Sequence, residues 1–133
     1  MRRVLVLCTL LAGVLAAGPI RWQGSFDAAR QRAEEERKPL LVLLVKRECD
    51  ACRKAVAAMN GDGPLARLVN GRTIPVLVTK ENEDYPIELL YTLEFPTLFL
   101  LSPEETFLAE PVRGEIDASG LRRLLEEELP DER

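Results

Sequence analysis

The sequence predicts one α/β domain, and three features of the chain lead to that prediction. Its 133 residues, 47% of them hydrophobic and 30% charged, are enough for one compact core. The apolar run that begins at Leu40 predicts a strand at 40–46, because it is too short for most helices and suits a strand buried on both faces. Apolar residues at helical spacing before and after this run predict flanking helices.

The first residues have the pattern of a secretory signal. Arg2 and Arg3 precede an apolar run at 4–15, which ends in small residues and is short for a transmembrane span. We therefore expect a signal peptide at 1–17, with an uncleaved anchor as the alternative, and a domain at 18–133. The protein would then be exported to the periplasm or another extracytoplasmic space.

A helix is expected before the buried strand. Ser25 is a suitable N-cap and Pro39 stands just beyond the predicted end, so this helix is placed at 25–38. Trp22, which precedes the helix, is interpreted as a core residue. The predicted strand at 40–46 ends shortly before a pair of cysteines.

Cys49 and Cys52 stand at the start of the next predicted helix. Two thiols at this spacing can close a disulfide across one helical turn, and the positive end of the helix dipole stabilises a thiolate. So short a loop gains little stability from a disulfide, which favours redox chemistry over a structural role. The sequence has no histidine, so a zinc site lacks half of its usual ligands, and Arg53 excludes covalent haem attachment. No metal and no cofactor is expected.

The two thiols are expected to differ in exposure. Cys52 shares one helical face with Ala55, Val56 and Met59, and this face should be buried. Cys49 is placed in the first turn near solvent. Cys49 is therefore the predicted nucleophile and Cys52 the resolving cysteine.

Breaks and apolar spacing define the rest of the chain. The predicted elements are a helix break at 61–64, a short helix around 65–69, a strand at 73–79, a short helix around 87–91, a strand led by Pro96, a return strand at 106–112 and a terminal helix around 121–129. A cis bond before Pro96 would expose the preceding backbone to a partner, and an ordinary trans bond is the alternative.

This order of elements resembles the thioredoxin fold over residues 20–129. Cys49 and Cys52, placed after a buried strand, resemble the active site of that family. Pro96, which follows Phe95 and opens a strand, resembles its cis-proline. The resemblance implies a central mixed β-sheet flanked by helices. Within this superfamily, the chain is similar to exported thioredoxin-like proteins related to the C-terminal domain of the thiol:disulfide interchange reductase and to the SoxW-type thioredoxins.

The resemblance also implies roles for residues around the thiols. Pro96 would form an edge for the substrate, and Phe95 and Thr97 would help to bind it. Gly114 resembles the glycine that ends the hairpin before the last helix. Charged neighbours are expected to tune the reactive thiolate, with the carboxylates opposing it and the basic group favouring it. These neighbours are Glu48, Asp50 and Arg53.

Three features depart from the thioredoxin pattern, and the first is the dipeptide Asp50-Ala51, which stands in place of the usual Gly-Pro. Glu48 stands where a tryptophan usually precedes the first cysteine, and Leu43 stands where many thioredoxins carry a buried aspartate. The group that accepts the proton of Cys52 is therefore open among Glu48, Lys46 and water.

The sequence as a whole predicts an enzyme, a thiol–disulfide oxidoreductase of the reductant or interchange type. Its partners would be exported proteins with disulfides or dithiols, and a redox partner that recycles the cysteine pair. Two alternatives stay open: a non-catalytic thioredoxin-like binding module, and a carrier of copper or another soft metal on the two thiols. The net charge of −4 without a basic stripe argues against nucleic acid, and a monomer is expected.

Overall fold

The computed structural model of the protein describes residues 18–129, so the predicted signal peptide at 1–17 lies outside the described residues. The helices are α1 (Phe26–Glu36), α2 (Asp50–Gly61), α3 (Gly63–Arg72) and α4 (Ala118–Glu128), and the strands are β1 (Leu40–Val45), β2 (Ile74–Thr79), β3 (Thr97–Leu101) and β4 (Val112–Arg113). No helix within 18–129 is long and apolar enough to cross a membrane.

The four strands form one mixed sheet in the order β2-β1-β3-β4. β1 runs parallel to β2 and antiparallel to β3, and β3 runs antiparallel to β4. Because β1 is an inner strand with helices on both faces, both sets of its alternating side chains are buried. The predicted buried strand and the mixed sheet flanked by helices are therefore confirmed.

Two hydrophobic cores lie on opposite faces of the sheet. Leu41 and Leu43 pack with residues of α2, α3 and α4 on one face. Leu40, Val42 and Leu44 pack with residues of α1 on the other. This division follows from the alternation of side chains along a strand, so β1 contributes side chains to both cores.

Polar caps set the helix boundaries close to those predicted. The Ser25 hydroxyl accepts a hydrogen bond from the Ala28 N–H at the start of α1. Asp62 separates α2 from α3, and its carboxylate accepts the Leu65 N–H at 2.9 Å. Trp22 packs against the core, as predicted, and its Nε1 donates to Asn60 Oδ1 at 3.2 Å.

Two predicted elements are wrong. The chain at 87–90 forms a turn in place of the predicted helix, with a hydrogen bond from the Leu90 N–H to the Pro86 carbonyl. The predicted return strand at 106–112 is reduced to the two residues of β4 and an isolated bridge between Leu101 and Phe107. Pro111 cannot donate to a ladder, which explains why strand pairing does not continue through this segment.

Candidate active site

The cysteine pair lies where β1 ends and α2 begins. Cys49 is the N-cap of α2, and its Sγ accepts a hydrogen bond from the Cys52 N–H at 3.1 Å. The two residues form a disulfide, with their Cα atoms 5.2 Å apart. The oxidised pair therefore spans the first turn of the helix, where unpaired N–H groups and the positive dipole end meet sulfur.

Both cysteines are buried in this oxidised state, with 7% of Cys49 and 4% of Cys52 exposed. The expectation that Cys49 lies near solvent in the first helical turn is wrong here. As the N-cap, Cys49 directs its sulfur back over the helix end towards the Cys52 N–H, and the disulfide holds it there. The predicted burial of this helical face is confirmed for Cys52, Ala55 and Met59, whereas Val56 is half-buried and packs against the core.

The loop before Cys49 is held by the segment that follows β2. The Arg47 N–H donates to both carboxylate oxygens of Glu81 at 3.2 Å, and the Arg47 guanidinium donates to Asn82 Oδ1 at 3.2 Å. Glu48, the next residue, has φ of +52°, which a non-glycine residue rarely adopts. Glu81 thus anchors a loop whose backbone turns sharply just before the first sulfur.

The contacts of Glu81 stabilise its charged form. Desolvation opposes ionisation, but the N–H groups of Glu81 and Arg47 and the charges of Arg47 and Lys80 favour the carboxylate more strongly. The pKa of Glu81 therefore lies below its usual value. This residue was not recognised from the sequence, since it lies 34 positions from the loop that it anchors.

Two of the charged neighbours predicted to tune the thiolate neutralise one another. Asp50 and Arg53 form an ion pair across one turn of α2, with both side chains largely exposed. Their net effect on Cys49 is therefore smaller than either charge alone would give. Glu48 is exposed and lines the same groove as both sulfurs.

The peptide bond between Phe95 and Pro96 is cis, as predicted. The next residue, Thr97, begins β3 and pairs with Leu44 near the end of β1. Pro96 therefore lies at the same end of the sheet as Cys49, although 47 positions separate the two residues in the sequence.

The side chains on either side of Pro96 have different surroundings. Thr97 is fully buried, and its hydroxyl donates to the Glu94 carbonyl at 2.6 Å, so this side chain shapes the loop from inside. The Phe95 ring is half-buried, and the ammonium groups of Lys46 and Lys80 each lie 5.5 Å from its centroid. Phe95 thereby joins the loops that follow β1 and β2 to the cis-proline loop, an arrangement that the sequence did not reveal.

A groove of about 430 Å³ opens beside the disulfide. Val45, Val56 and Leu77 give it an apolar wall, and both cysteines line it. Lys46 and Glu48, the candidates for accepting the proton of Cys52, line this groove as well. The lining residues are Val45, Lys46, Arg47, Glu48, Cys49, Cys52, Arg53, Val56, Ala57 and Leu77.

Leu43 is fully buried in the core shared by α2, α3 and α4, so the position of the missing aspartate is filled by hydrocarbon. Among residues 18–129, no group of three or more histidine, cysteine, aspartate or glutamate side chains is arranged to hold a metal ion. Sulfur exchange is the chemistry that the arrangement around the cysteines can support directly.

No protein-family model and no curated protein matches the sequence. Solved structures do match it. A structure described as DsbH oxidoreductase has a TM-score of 0.69 at 17% identity, over 85% of this chain and 87% of that one. A thioredoxin from Thermus thermophilus has a TM-score of 0.67 at 18% identity, over 82% and 86% of the two chains. The C-terminal domain of Neisseria meningitidis DsbD, in its oxidised form, has a TM-score of 0.60 at 18% identity, over 77% and 90%. The chain therefore has the thioredoxin fold.

Proposed function

We propose that this protein is an exported thiol–disulfide oxidoreductase that acts on protein disulfides. The observation that carries the proposal is the disulfide between Cys49 and Cys52, closed across the first turn of α2 beside an open groove. So short a disulfide contributes little through loop entropy, whereas its place at a helix N-terminus favours the thiolate needed for exchange. The leader pattern at 1–17 supports export.

The reaction begins with the reduced pair. The Cys49 thiolate attacks one sulfur of the substrate disulfide, so that a new S–S bond forms and the substrate S–S bond breaks. The released substrate sulfur leaves as a thiolate and takes a proton. Pro96, at the same end of the sheet, supplies the edge along which the substrate backbone lies in this mixed disulfide.

Resolution produces the state described by the structure. Cys52 loses its proton and attacks Cys49 Sγ, which closes the disulfide and releases the second substrate thiol. Two electrons have then passed from the cysteine pair to the substrate. Lys46 and Glu48 line the groove with both sulfurs, which supports either residue, or water, as the acceptor of the Cys52 proton.

We favour a reductant or an interchange protein because the charges around Cys49 largely offset one another. Asp50 pairs with Arg53, and the guanidinium of Arg47 is bound by Asn82 and faces the charge of Glu81. A strong oxidant needs a strongly stabilised thiolate, and these paired charges add little to the helix dipole. A redox partner of the same exported compartment would return the pair to the dithiol.

A second candidate function is a non-catalytic binding module whose disulfide stays closed. The observation in its favour is the burial of both cysteines, since an enzyme must bring Cys49 into contact with a substrate sulfur. A carrier of a soft metal such as Cu(I), which needs only the two thiolates, is the remaining alternative.

Insulin reduction in the presence of dithiothreitol separates these candidates. The protein should accelerate precipitation of the insulin B chain above dithiothreitol alone, and Cys49→Ser should abolish the acceleration. Cys8→Ser, assayed in the full-length protein that retains the predicted leader, is the matched control and should leave the rate unchanged. No acceleration would favour the binding module, and stoichiometric copper in anaerobically purified protein would favour the carrier.

A further inference from the structure

The segment 80–95, which joins the end of β2 to the cis-proline, exposes an apolar surface that the exchange chemistry does not use. Ile87, Tyr91 and Leu93 are 43%, 62% and 81% exposed. Three large apolar side chains so exposed within seven residues form a patch of the kind that marks a binding surface. This patch leads along the chain directly to Phe95 and Pro96.

A small pocket lies beneath this patch. Its volume is about 110 Å³, several times the ~30 Å³ that one water occupies in the liquid, so it can hold one aliphatic side chain. Leu44, Leu90 and Phe95 contribute buried or half-buried apolar walls, and Tyr91 stands at the exposed side. The full lining is Leu44, Lys80, Glu83, Tyr85, Ile87, Leu90, Tyr91, Thr92 and Phe95.

Phe95 links the pocket to the loop that leads to Cys49. Its ring lines the pocket, its peptide bond to Pro96 is the cis bond, and Lys46 of the loop before Cys49 lies against it. A polypeptide that lies along the Pro96 edge would pass Phe95, and with it one wall of this pocket.

The segment around the pocket is acidic on balance. The stretch 80–95 contains five carboxylates and one basic residue, Lys80, which lines the pocket and lies over the Phe95 ring. Glu81 is engaged by Arg47, but the other four are exposed and form no ion pair within residues 18–129; they are Glu83, Asp84, Glu88 and Glu94. Tyr85 is part of the pocket wall, and burial, followed by the charges of Glu83, Glu81 and Asp84, raises its pKa.

We propose that the surface 80–95 selects polypeptide disulfides that carry an aliphatic residue for the pocket and a neighbouring lysine or arginine for the free carboxylates. This inference deepens the proposed function, on which it rests, by giving the class of substrate. The apolar contact supplies discrimination by shape, and the carboxylates attract a cationic partner and repel an acidic one.

Four matched cystine peptides test this selection. They differ only beside the cysteine, where one position is leucine or alanine and the next is arginine or glutamate. We expect the reduced full-length protein to reduce the leucine–arginine peptide at least about tenfold faster than the alanine–glutamate peptide. Added salt should weaken the preference for arginine and leave the preference for leucine, because exposed charges are screened.

Variants of the surface locate the preference. Tyr91→Ala should remove most of the preference for leucine, and the double variant Glu83→Gln and Glu88→Gln should remove much of the preference for arginine. Two matched controls have similar exposure: Phe107→Ala, which removes a ring that lines a neighbouring groove with Tyr91 but does not line the pocket, and the double variant Glu126→Gln and Glu127→Gln on α4. All changed residues are at least partly exposed, so folding should be preserved, and circular dichroism checks this.

A small aromatic disulfide serves as a probe without a flanking residue. If the reduced protein reduces this probe but treats the four peptides alike, or if Tyr91→Ala keeps the full preference for leucine, the inference is overturned and the proposed function stands. If the reduced protein transfers electrons to neither the probe nor the peptides, the proposed function falls and the inference falls with it.

Discussion

At the scale of single residues, the loop that presents Cys49 depends on a side chain far away in the sequence. Glu81 accepts the Arg47 N–H with both carboxylate oxygens, and the following residue, Glu48, has a strained positive φ. A charged acceptor is a strong partner for a backbone N–H. We interpret Glu81 as a positioning residue that keeps the loop before Cys49 in one conformation.

Glu81→Gln should therefore destabilise the protein near neutral pH, and the effect should fade in acid. The folded-state pKa of Glu81 lies below its ordinary value of 4.5, so the stability that it contributes is fully present above 4.5 and is lost as pH falls through the folded pKa. Urea denaturation should show a lower midpoint for the variant near pH 7 and a smaller difference at about pH 3.

Glu83→Gln is the matched control for this comparison. Glu83 lies two positions away, is exposed, and is not a partner of the Arg47 N–H. Equal effects of the two substitutions at both pH values would show that general charge, and not the anchoring contact, accounts for the difference.

Some residues of the candidate site could be predicted from the sequence, and others could not. Cys49, Cys52 and the cis-proline were identified because their chemistry is tied to residue type and to their place beside predicted strands. Glu81 was not, since its role depends on which loop the end of β2 meets, and a carboxylate in an acidic stretch has no distinguishing pattern. The predicted exposure of Cys49 was wrong because helical spacing does not describe how an N-cap side chain turns back over its helix.

At the scale of elements, the end of β4 fixes the cis-proline loop. Gly114 has φ of +80°, and its N–H donates to the Pro96 carbonyl at 2.8 Å. A side chain at this position meets only Glu94 Oε2, at 3.6 Å, so space is available and the backbone conformation is the constraint. Gly114, which was predicted to end a hairpin, therefore connects the end of β4 to Pro96 through a backbone hydrogen bond.

Gly114→Ala should destabilise the protein by about 1 kcal/mol, because alanine is strained at positive φ. Gly71→Ala is the matched control: Gly71 lies within α3 with open space around it, so alanine there should stabilise by about 0.5–1 kcal/mol. Thermal unfolding of both variants measures the difference. Two shifts of the same sign would contradict the role given to the Gly114 backbone.

Elements with strong local signals were predicted closely, and the weaker ones were not. The strand from Leu40 and the break at Asp62 followed from an apolar run and from turn residues, and both are present. The return strand at 106–112 is not continuous, because Pro111 cannot donate to a ladder and only Phe107 and Val112 of this segment are paired with residues of β3. Strand pairing is a long-range property, which local periodicity describes only in part.

At the scale of the whole molecule, one end of the sheet gathers the features used in the proposed function. β1 and β2 are parallel and β3 is antiparallel to them, so the ends of β1 and β2 meet the start of β3. Cys49 follows the end of β1, and Glu81 follows the end of β2. Phe95 precedes the start of β3. Two cores hold this edge in place from both faces of the sheet.

The strand order that brings these residues to one end of the sheet could be predicted only from the resemblance to thioredoxins. The order of elements gave the resemblance, and the resemblance gave the placement of Pro96 beside the cysteine helix. The pocket beneath Tyr91 and the contacts of Phe95 with Lys46 and Lys80 depend on side-chain packing between loops. Loop packing leaves no periodic pattern in a sequence.

The central claim, that Cys49 attacks a substrate disulfide and Cys52 resolves the adduct, is tested most directly by trapping. Cys52→Ala should accumulate mixed disulfides between Cys49 and exported proteins, since the attacked intermediate has lost its resolving thiol. Cys49→Ala is the matched control and should trap no adduct through position 49. Mass spectrometry of the purified Cys52→Ala protein should find substrate cysteines bound to Cys49. Recovery of the variant with no adduct, although Cys49 is readily alkylated, would contradict the account.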